Sequence, residues 1–256
     1  MTRAPAFATL AEPFLDPADI KVWSVLVTII GDIAPESAIG GPILTALIES
    51  MGLQPQAMRV ALHRLKRDGW VESEKIGRVG FYRMSRAATS TTFAVSPRVY
   101  APRVEPMTLA RLVVGNPLET EPTDQGFAIA SNVVLLPPEQ DVRDLLATTV
   151  EVHALPEWVI SKIRESACFT DCAKLAADLA VFRESVSPDA LGLIERTALR
   201  ILVLHRWRRL ALRMDPLAEA MSGADQPPAL CRARVAECLE LLDRPTLQDL
   251  AEATGL

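Results

Sequence analysis

The side chains best suited to recognition chemistry lie between Gln54 and Met84, where amide and basic groups are spaced around apolar residues. Glutamine can pair with adenine, and arginine with guanine, through two hydrogen bonds each, and any basic side chain can neutralise a phosphate. This is the chemistry of duplex DNA recognition. The candidate DNA-contacting residues are Gln54, Gln56, Arg59, His63, Lys66, Arg67, Lys75, Arg78 and Arg83.

The charge of this stretch is opposite in sign to that of the chain. Residues 51–90 hold eight Lys or Arg side chains and three Asp or Glu, whereas the 256-residue chain has a formal net charge of −5. A basic stripe on an acidic protein is typical of a directed contact with negatively charged DNA. A surface helix with solvated charges is the alternative interpretation, and the hairpin predicted below favours DNA binding.

The first part of this stretch is predicted to form a helix. Pro55 suits a first helical position, because its missing N–H would be unpaired there in any residue. Met58, Ala61, Leu62 and Leu65 recur at helical spacing and predict the inner face of the helix. The polar side chains between them are therefore expected on the outer face.

A β-hairpin is predicted to follow. Asp68-Gly69 ends the helix, since glycine adopts the left-handed conformation at no steric cost. Trp70 to Ile76 and Val79 to Met84 then predict two short strands around Gly77-Arg78. A helix, a glycine stop and a basic hairpin describe the recognition helix and wing of a winged helix-turn-helix.

The position of each polar group predicts its role. Gln54, Gln56 and Arg59 lie near the start of the helix, from which side chains usually reach base edges in this motif. Lys75 and Arg78 on the wing are expected to contact phosphate or the minor groove.

The remaining arginines and lysines allow two interpretations. Lys66, Arg67 and Arg83 are either phosphate contacts or solvated charges, and their spacing does not decide between the two. Arg64, at the edge of the outer face, is interpreted instead as a structural ion-pair partner.

Two further helices are predicted before the DNA-contacting one. Asp16-Pro17 suits the cap and first residue of the first helix, which ends near Gly31. Gly40-Gly41-Pro42 starts the second helix and Gly52 closes it. The winged helix-turn-helix domain is thus predicted over residues 16–86.

The rest of the chain is predicted to form a linker and two more domains. Residues 87–106, rich in Thr, Ser and Pro, favour an extended linker, because residues before proline avoid the α region. A small α+β domain is expected over residues 107–155 and a helical domain over residues 156–256. The expected fold class is therefore α+β and mainly helical.

The middle domain is predicted to consist of short strands with one helix. Pro138 is predicted to begin that helix, with Val142, Leu145 and Leu146 facing inwards, and residues 115–126 are predicted to form a loop. The predicted strands are Met107–Val114, Phe127–Ala130, Val133–Leu136 and Val150–Ala154.

Composition and motifs exclude several classes of protein. No apolar run approaches the roughly 20 residues that span a bilayer, and the N-terminus lacks the apolar core of a secretory signal, so a cytoplasmic protein is expected. The four cysteines lie at helical spacings that favour core packing over a disulfide scaffold. No catalytic residue, metal site or cofactor is predicted.

Three blocks of sequence, in this order, resemble the PaaX-type repressors of phenylacetic acid degradation. They are VWSVLVTIIGDIAPES with PQAMRVALHRLKRDGWVESEKIGRVGFYRMS, then GFAIASNVVLLPPE, then LVLHRWRRLALRMDPLAEAM. The resemblance implies a winged helix-turn-helix, a ferredoxin-like middle domain and a helical C-terminal domain for dimerisation and effector binding. It also implies a homodimer on a palindromic operator, which represses a catabolic operon until an aryl-CoA thioester such as phenylacetyl-CoA releases it.

A second cationic cluster is the candidate binding site for the implied effector. Coenzyme A carries phosphates, which arginine can contact through two hydrogen bonds. The alternative is that these cations pair with acidic residues of neighbouring helices or stabilise a dimer surface. Trp207, which lies among them, is expected in the core. The candidate effector-binding residues are His205, Arg206, Arg208 and Arg209.

Two other classes remain open. A metal-dependent nuclease is the enzymatic alternative, but the first strand of the middle domain ends in Val114-Gly115-Asn116, without the carboxylate that such ferredoxin-like nucleases place there. The chain also lacks a phosphate-binding glycine loop with lysine and a Gly-x-Ser-x-Gly elbow. A ligand-independent architectural DNA-binding protein is the third class.

Overall fold

The computed structural model describes residues 5–15, 20–115, 126–142 and 145–256. These residues form a mainly helical α+β protein with two antiparallel sheets, which confirms the predicted fold class at that level. The chain divides into two compact units. Unit 1 comprises residues 1–100, 178–209 and 235–256, and unit 2 comprises residues 101–177 and 210–234. This grouping differs from the predicted division at residues 86, 106 and 155, which stays a prediction.

The helices and strands of the described residues are numbered in chain order. The helices are α1 (Pro5–Ala11), α2 (Val22–Ile33), α3 (Gly41–Ser50), α4 (Pro55–Arg67), α5 (Arg86–Tyr100), α6 (Glu157–Ser166), α7 (Phe169–Ser185), α8 (Leu193–Ala211), α9 (Pro216–Met221), α10 (Pro227–Leu241) and α11 (Leu247–Thr254). The strands are β1 (Ile39–Gly40), β2 (Val71–Ile76), β3 (Val79–Met84), β4 (Leu109–Val114), β5 (Phe127–Ala130), β6 (Val133–Leu136) and β7 (Leu146–Glu151).

Helix α4 is the helix predicted to contact DNA, and its bounds agree with the prediction. Gln54 occupies the N-cap position in an extended conformation, and Pro55 is the first helical residue. After Arg67 and Asp68, Gly69 has a φ of +74°, in the left-handed region that glycine adopts readily. Both ends of the helix are thus set by local residue type.

Strands β2 and β3 form the predicted hairpin. They pair antiparallel from Val71 opposite Met84 to Ile76 opposite Val79, and Gly77 makes the turn with a φ of +60°. Strand β1 pairs with the other edge of β3, which gives the order β1-β3-β2.

Helices α2 and α3 pack with α4 in unit 1. The predicted start of α2 at Asp16-Pro17 lies outside the described residues, whereas α3 begins at Gly41 as predicted. Six large apolar side chains of α2 and α3 are exposed by less than 2%. They are Leu26, Ile29, Ile30, Leu44, Leu47 and Ile48.

Helix α5 shows that the prediction of an extended linker over residues 87–106 was wrong for all but its last six residues. Two hydrogen bonds within unit 1 anchor the end of this helix. The Tyr100 hydroxyl donates to Asp32 at 3.1 Å, and the Trp207 indole N–H donates to the Val99 carbonyl at 2.8 Å. Such contacts between distant residues outweigh the modest helix propensity of Ser and Thr, which composition alone reflects.

A buried ionic cluster lies beside α5. Asp32 has no exposed side-chain surface and accepts hydrogen bonds from Arg200 at 2.7 and 3.2 Å and from Arg244 at 3.1 Å. Arg200 also donates to two backbone carbonyls near the end of α10, at 2.8 and 2.9 Å. Burial and the Asp32 carboxylate raise the pKa of Tyr100, so its hydroxyl keeps the proton that it donates. One carboxylate thus connects α2, α5, α8 and the segment after α10.

Unit 2 contains a four-stranded antiparallel sheet of order β5-β6-β4-β7. Strands β5 and β6 have the predicted bounds, while β7 begins four residues before the predicted Val150 and is followed by a 3-10 turn at residues 152–154. Helices α6 and α9 contribute to the core on one face of this sheet. The buried core residues include Ala110, Phe127, Leu135, Val159, Ile163 and Ala218.

The helix predicted from Pro138 is not present in the described part of that segment. Residues 138–139 form a turn, and residues 143–144 lie outside the described residues, as does most of the predicted loop at 115–126. Leu146, predicted to face inwards from the helix, pairs instead with Val114 in the sheet and is 75% exposed. Val142 and Leu145, which precede it, pack against the second face of the sheet. Their apolar spacing, from which the helix was predicted, therefore also fits packing on a sheet.

The C-terminal part of the chain is helical, as predicted. Asp215 caps α9 by accepting two backbone N–H groups, and Thr246 and Asp249 form a capping box at the start of α11. Three cysteines are buried, whereas Cys168 is half-buried and lies before α7 with a φ of 51°, so it is not on one helical face with Cys172. Among the described residues, no helix is both long and apolar enough to cross a membrane.

Candidate nucleic-acid interface

The outer face of α4 is a row of exposed side chains opposite a buried face. The four apolar residues predicted to face inwards are between 4% and 8% exposed, which confirms that prediction. All nine predicted DNA-contacting side chains are exposed. At 3.6 residues per turn, one row lies farthest from the buried face. It consists of Gln56, Val60, His63 and Arg67.

Val60 is the one apolar residue in this row, and it was not among the predicted contacts. Its side chain is 62% exposed. Its spacing of four residues from Gln56 places it on the outer face, although its side chain carries no polar group.

Gln56 and Arg59 are joined by two hydrogen bonds. The Arg59 Nε and a terminal guanidinium nitrogen donate to the Gln56 Oε1 at 3.1 and 2.9 Å. The pairing orders two side chains that were predicted to reach base edges, while both stay exposed. It also leaves the Gln56 amide nitrogen as a donor for a further partner.

Two arginines form ion pairs with Asp68 at the end of α4. Arg67 contacts its carboxylate at 2.9 Å and Arg64 at 3.4 Å, which agrees with the interpretation of Arg64 as an ion-pair partner. The hydrogen bond from Arg67, with the positive charges of both arginines, lowers the pKa of Asp68. Exposed pairs of this kind contribute little stability, so Arg67 can exchange Asp68 for a phosphate at small cost.

The hairpin presents two kinds of basic side chain. Arg83 is paired with Glu72 across the two strands at 2.8 Å. Lys75 and Arg78, near the turn, are exposed and make no ion pair with any described residue. Lys75 and Arg78 can therefore contact a phosphate without first breaking an ion pair, whereas Arg83 must leave Glu72.

The predicted effector residues do not form one surface cluster. His205 is 2% exposed, with its Nδ1 3.3 Å from the Thr28 hydroxyl, and Arg208 donates to the Ser24 hydroxyl at 3.0 Å. Burial lowers the pKa of Arg208. Arg209 is exposed and Arg206 half-buried, and both have partners. The effector role of the four residues stays a prediction.

Unit 2 contains an apolar cavity that composition does not reveal. Its volume is about 560 Å³, and it opens between the sheet and the start of α6. Apolar side chains from all four strands line it, and Trp158, 59% exposed, stands at its edge. The lining includes Leu112, Ile129, Val133, Val150 and Ala154. A cavity of this size and polarity suits a small apolar or aromatic group.

The described residues contain no group of three or more His, Cys, Asp or Glu side chains that could hold a metal ion. Strand β4 ends at Val114, followed by Gly115, so its described end carries no carboxylate.

A comparison with protein families matches the N-terminal part of unit 1. Residues 21–88 match the family model of the PaaX-like proteins. The transcriptional repressor PaaX of Escherichia coli (strain K12) is 35% identical over 57 residues, which are 22% of this chain and 18% of the repressor. The match thus spans less than a fifth of that relative's length.

One solved structure resembles a larger part of the chain. The uncharacterised protein Rv0674 from Mycobacterium tuberculosis aligns over 91% of this chain and 98% of its own, with a TM-score of 0.50 and 17% identity. A likeness at that identity concerns the fold alone.

Proposed function

We propose that the protein is a sequence-specific DNA-binding transcriptional repressor, because residues 21–88 match the family model of the PaaX-like proteins. The observation that carries the proposal is the exposed polar face of α4 beside a basic hairpin. The relative in Escherichia coli is a transcriptional repressor, and we propose no catalytic activity for this chain.

The proposal treats α2 to α4 with the sheet β1-β3-β2 as a winged helix-turn-helix. Three helices followed by an antiparallel hairpin are the elements that this motif requires, and the turn at Gly77 is then the wing. In unit 2, β4 and β6 are the central strands and β5 and β7 the edges, an order that supports a ferredoxin-like sheet. The helices beyond residue 156 would serve dimerisation and effector binding.

In the proposed complex, α4 enters the major groove. Gln54, Gln56 and Arg59 reach base edges, and Lys75 and Arg78 contact phosphates or the minor groove. The other candidate residues on α4 and the hairpin contact phosphates. A homodimer would bind a palindromic operator with half-sites separated by whole turns of the duplex. A repressor that binds an operator in this way would act in the cytoplasm, where the operator lies.

Arg59 and Lys75 should behave differently when replaced by alanine. Arg59→Ala should weaken binding to the cognate operator by about 1–3 kcal/mol and affect random duplex much less, because Arg59 reads a base. Lys75→Ala should weaken binding to both duplexes alike and reduce the slope of log affinity against log salt concentration by about one. Fluorescence anisotropy with an operator selected from a random duplex pool measures both effects.

Arg183→Ala is the matched control, because Arg183 is an exposed, ion-paired arginine outside the motif. It should leave binding unchanged. An equal loss on operator and random duplex would make Arg59 a phosphate contact, and an unchanged salt slope for Lys75→Ala would remove the wing from the interface.

The effector we propose is an aryl-CoA thioester such as phenylacetyl-CoA, which releases the repressor from the operator of an aromatic-acid catabolic operon. One observation supports a ligand of this chemistry: the apolar cavity of unit 2 could accept an aryl group. The phosphate-binding role of Arg206 and Arg209, one turn apart on α8, stays a separate prediction.

Phenylacetyl-CoA should raise the melting temperature of the protein and lower its affinity for the operator. Arg206→Ala/Arg209→Ala should abolish the shift if these residues bind the phosphates, and Ala154→Trp should abolish it if the cavity holds the aryl group. Coenzyme A without the acyl group is the control ligand. If no CoA ester shifts the melting temperature, the effector proposal is wrong.

Two outcomes would favour other functions. Operator affinity that responds to no metabolite would indicate a ligand-independent architectural DNA-binding protein. Cleavage of DNA or RNA with Mg²⁺ or Mn²⁺ would indicate a nuclease.

A further inference from the structure

We propose that Val60 selects a thymine in the operator through contact with the 5-methyl group of that base. The inference rests on the proposed function and names one base that α4 would read. It starts from the one apolar residue in the row of outer side chains on that helix.

The position of Val60 is central on the outer face. Its side chain is 62% exposed, and it follows Gln56 by one turn and precedes His63 by nearly one turn. Any groove that receives the polar side chains of this row also receives Val60. Ala57, one turn before it, is exposed and short, so the backbone of α4 can approach a base edge closely there.

The stability of the helix does not account for a valine at this position. Valine is β-branched and therefore a poorer helix former than alanine, lysine or glutamate. Its exposed side chain gains little from burial within the chain, because its neighbours one turn away are Gln56, Ala57, His63 and Arg64, all exposed. A partner that covers the outer face would supply the burial that the free helix lacks.

The chemistry of valine restricts what it can recognise in DNA. It has no hydrogen-bond donor or acceptor on its side chain, so it cannot read the polar edges of bases. In the major groove, thymine is the one base that presents a methyl group, and apolar side chains distinguish it by contact with that group. Val60 would therefore add a thymine preference between base pairs read by polar neighbours.

Thymine-to-uracil exchange tests this inference, because it removes only the methyl group. Each thymine of an operator selected from a random duplex pool is replaced singly by deoxyuridine. At one position of each half-site, wild-type protein should lose about fourfold in affinity, the factor expected for burial of one methyl group. Val60→Ala should bind the thymine and uracil duplexes equally. Val60→Thr, of similar shape with one γ-methyl retained, should keep part of the preference.

A thymine outside the footprint is the control substitution and should have no effect. The inference is overturned if no thymine exchange weakens wild-type binding, or if the loss persists undiminished in Val60→Ala. Unchanged thermal unfolding of Val60→Ala would show that the variant keeps its fold. If the pool yields no enriched sequence, the proposed function itself fails, a result distinct from an enriched operator that is insensitive to methyl groups.

Discussion

Arg200→Met should lower the free energy of unfolding by about 3–5 kcal/mol, because it leaves the Asp32 carboxylate buried without its closest cation. Asp32 has no exposed side-chain surface, and Arg200, 7% exposed, approaches it at 2.7 Å. Arg244, the second arginine on this carboxylate, has a 45% exposed side chain and cannot replace the buried contact in full. Urea unfolding followed by circular dichroism measures the loss.

Arg183→Met is the matched control in the same unit. Arg183 pairs with Glu237 at 3.1 Å, but both side chains are about half exposed, so the expected loss is below about 1 kcal/mol. Equal losses in the two variants would contradict the assignment of Asp32 and Arg200 as a buried ionic centre. The double variant Asp32→Leu/Arg200→Met should recover part of the stability, since it removes both buried charges.

Trp207→Ala should cost about 3–5 kcal/mol of stability, the range for removal of a buried large aromatic side chain. Trp207 has no exposed surface, and its indole N–H donates to the Val99 carbonyl at 2.8 Å. Trp207→Phe keeps most of the packing but leaves that buried carbonyl without this donor, so we expect an intermediate loss of about 1–3 kcal/mol.

Trp158→Ala is the control for the removal of a tryptophan. Trp158 is 59% exposed, so its replacement by alanine should lower the free energy of unfolding by less than about 1 kcal/mol. If Trp207→Ala were as mild as this control, Trp207 would not belong to the core. The Phe variant keeps the test informative if the Ala variant does not fold.

The elements predicted correctly are those whose determinants lie close together in sequence. Helix α4 begins at Pro55 and ends before Gly69, and the hairpin turns at Gly77, because proline and glycine act on the backbone at their own positions. The exposure of the candidate DNA contacts within α4 follows in the same way from helical periodicity. The same periodicity places Val60 on the outer face, although an apolar residue does not fit a polar pattern of DNA contacts.

The predictions that were wrong concern segments whose partners are distant. The composition of residues 87–106 favours an extended chain, yet contacts to Asp32 and Trp207 hold most of that segment as α5. The segment after Pro138 shows an apolar spacing that fits either a helix or one face of a sheet. Its apolar side chains pack against the second face of the unit 2 sheet.

The ends of α4, the hairpin and the basic charge of the candidate DNA-binding surface follow from the sequence, since each depends on residues within about one element. Which charges are buried depends instead on how the helices pack. Arg200 and Arg208 both look like surface charges of one helix, but one neutralises Asp32 and the other donates to Ser24. Burial depends on what packs against a helix, and those partners lie more than 150 residues away in the chain.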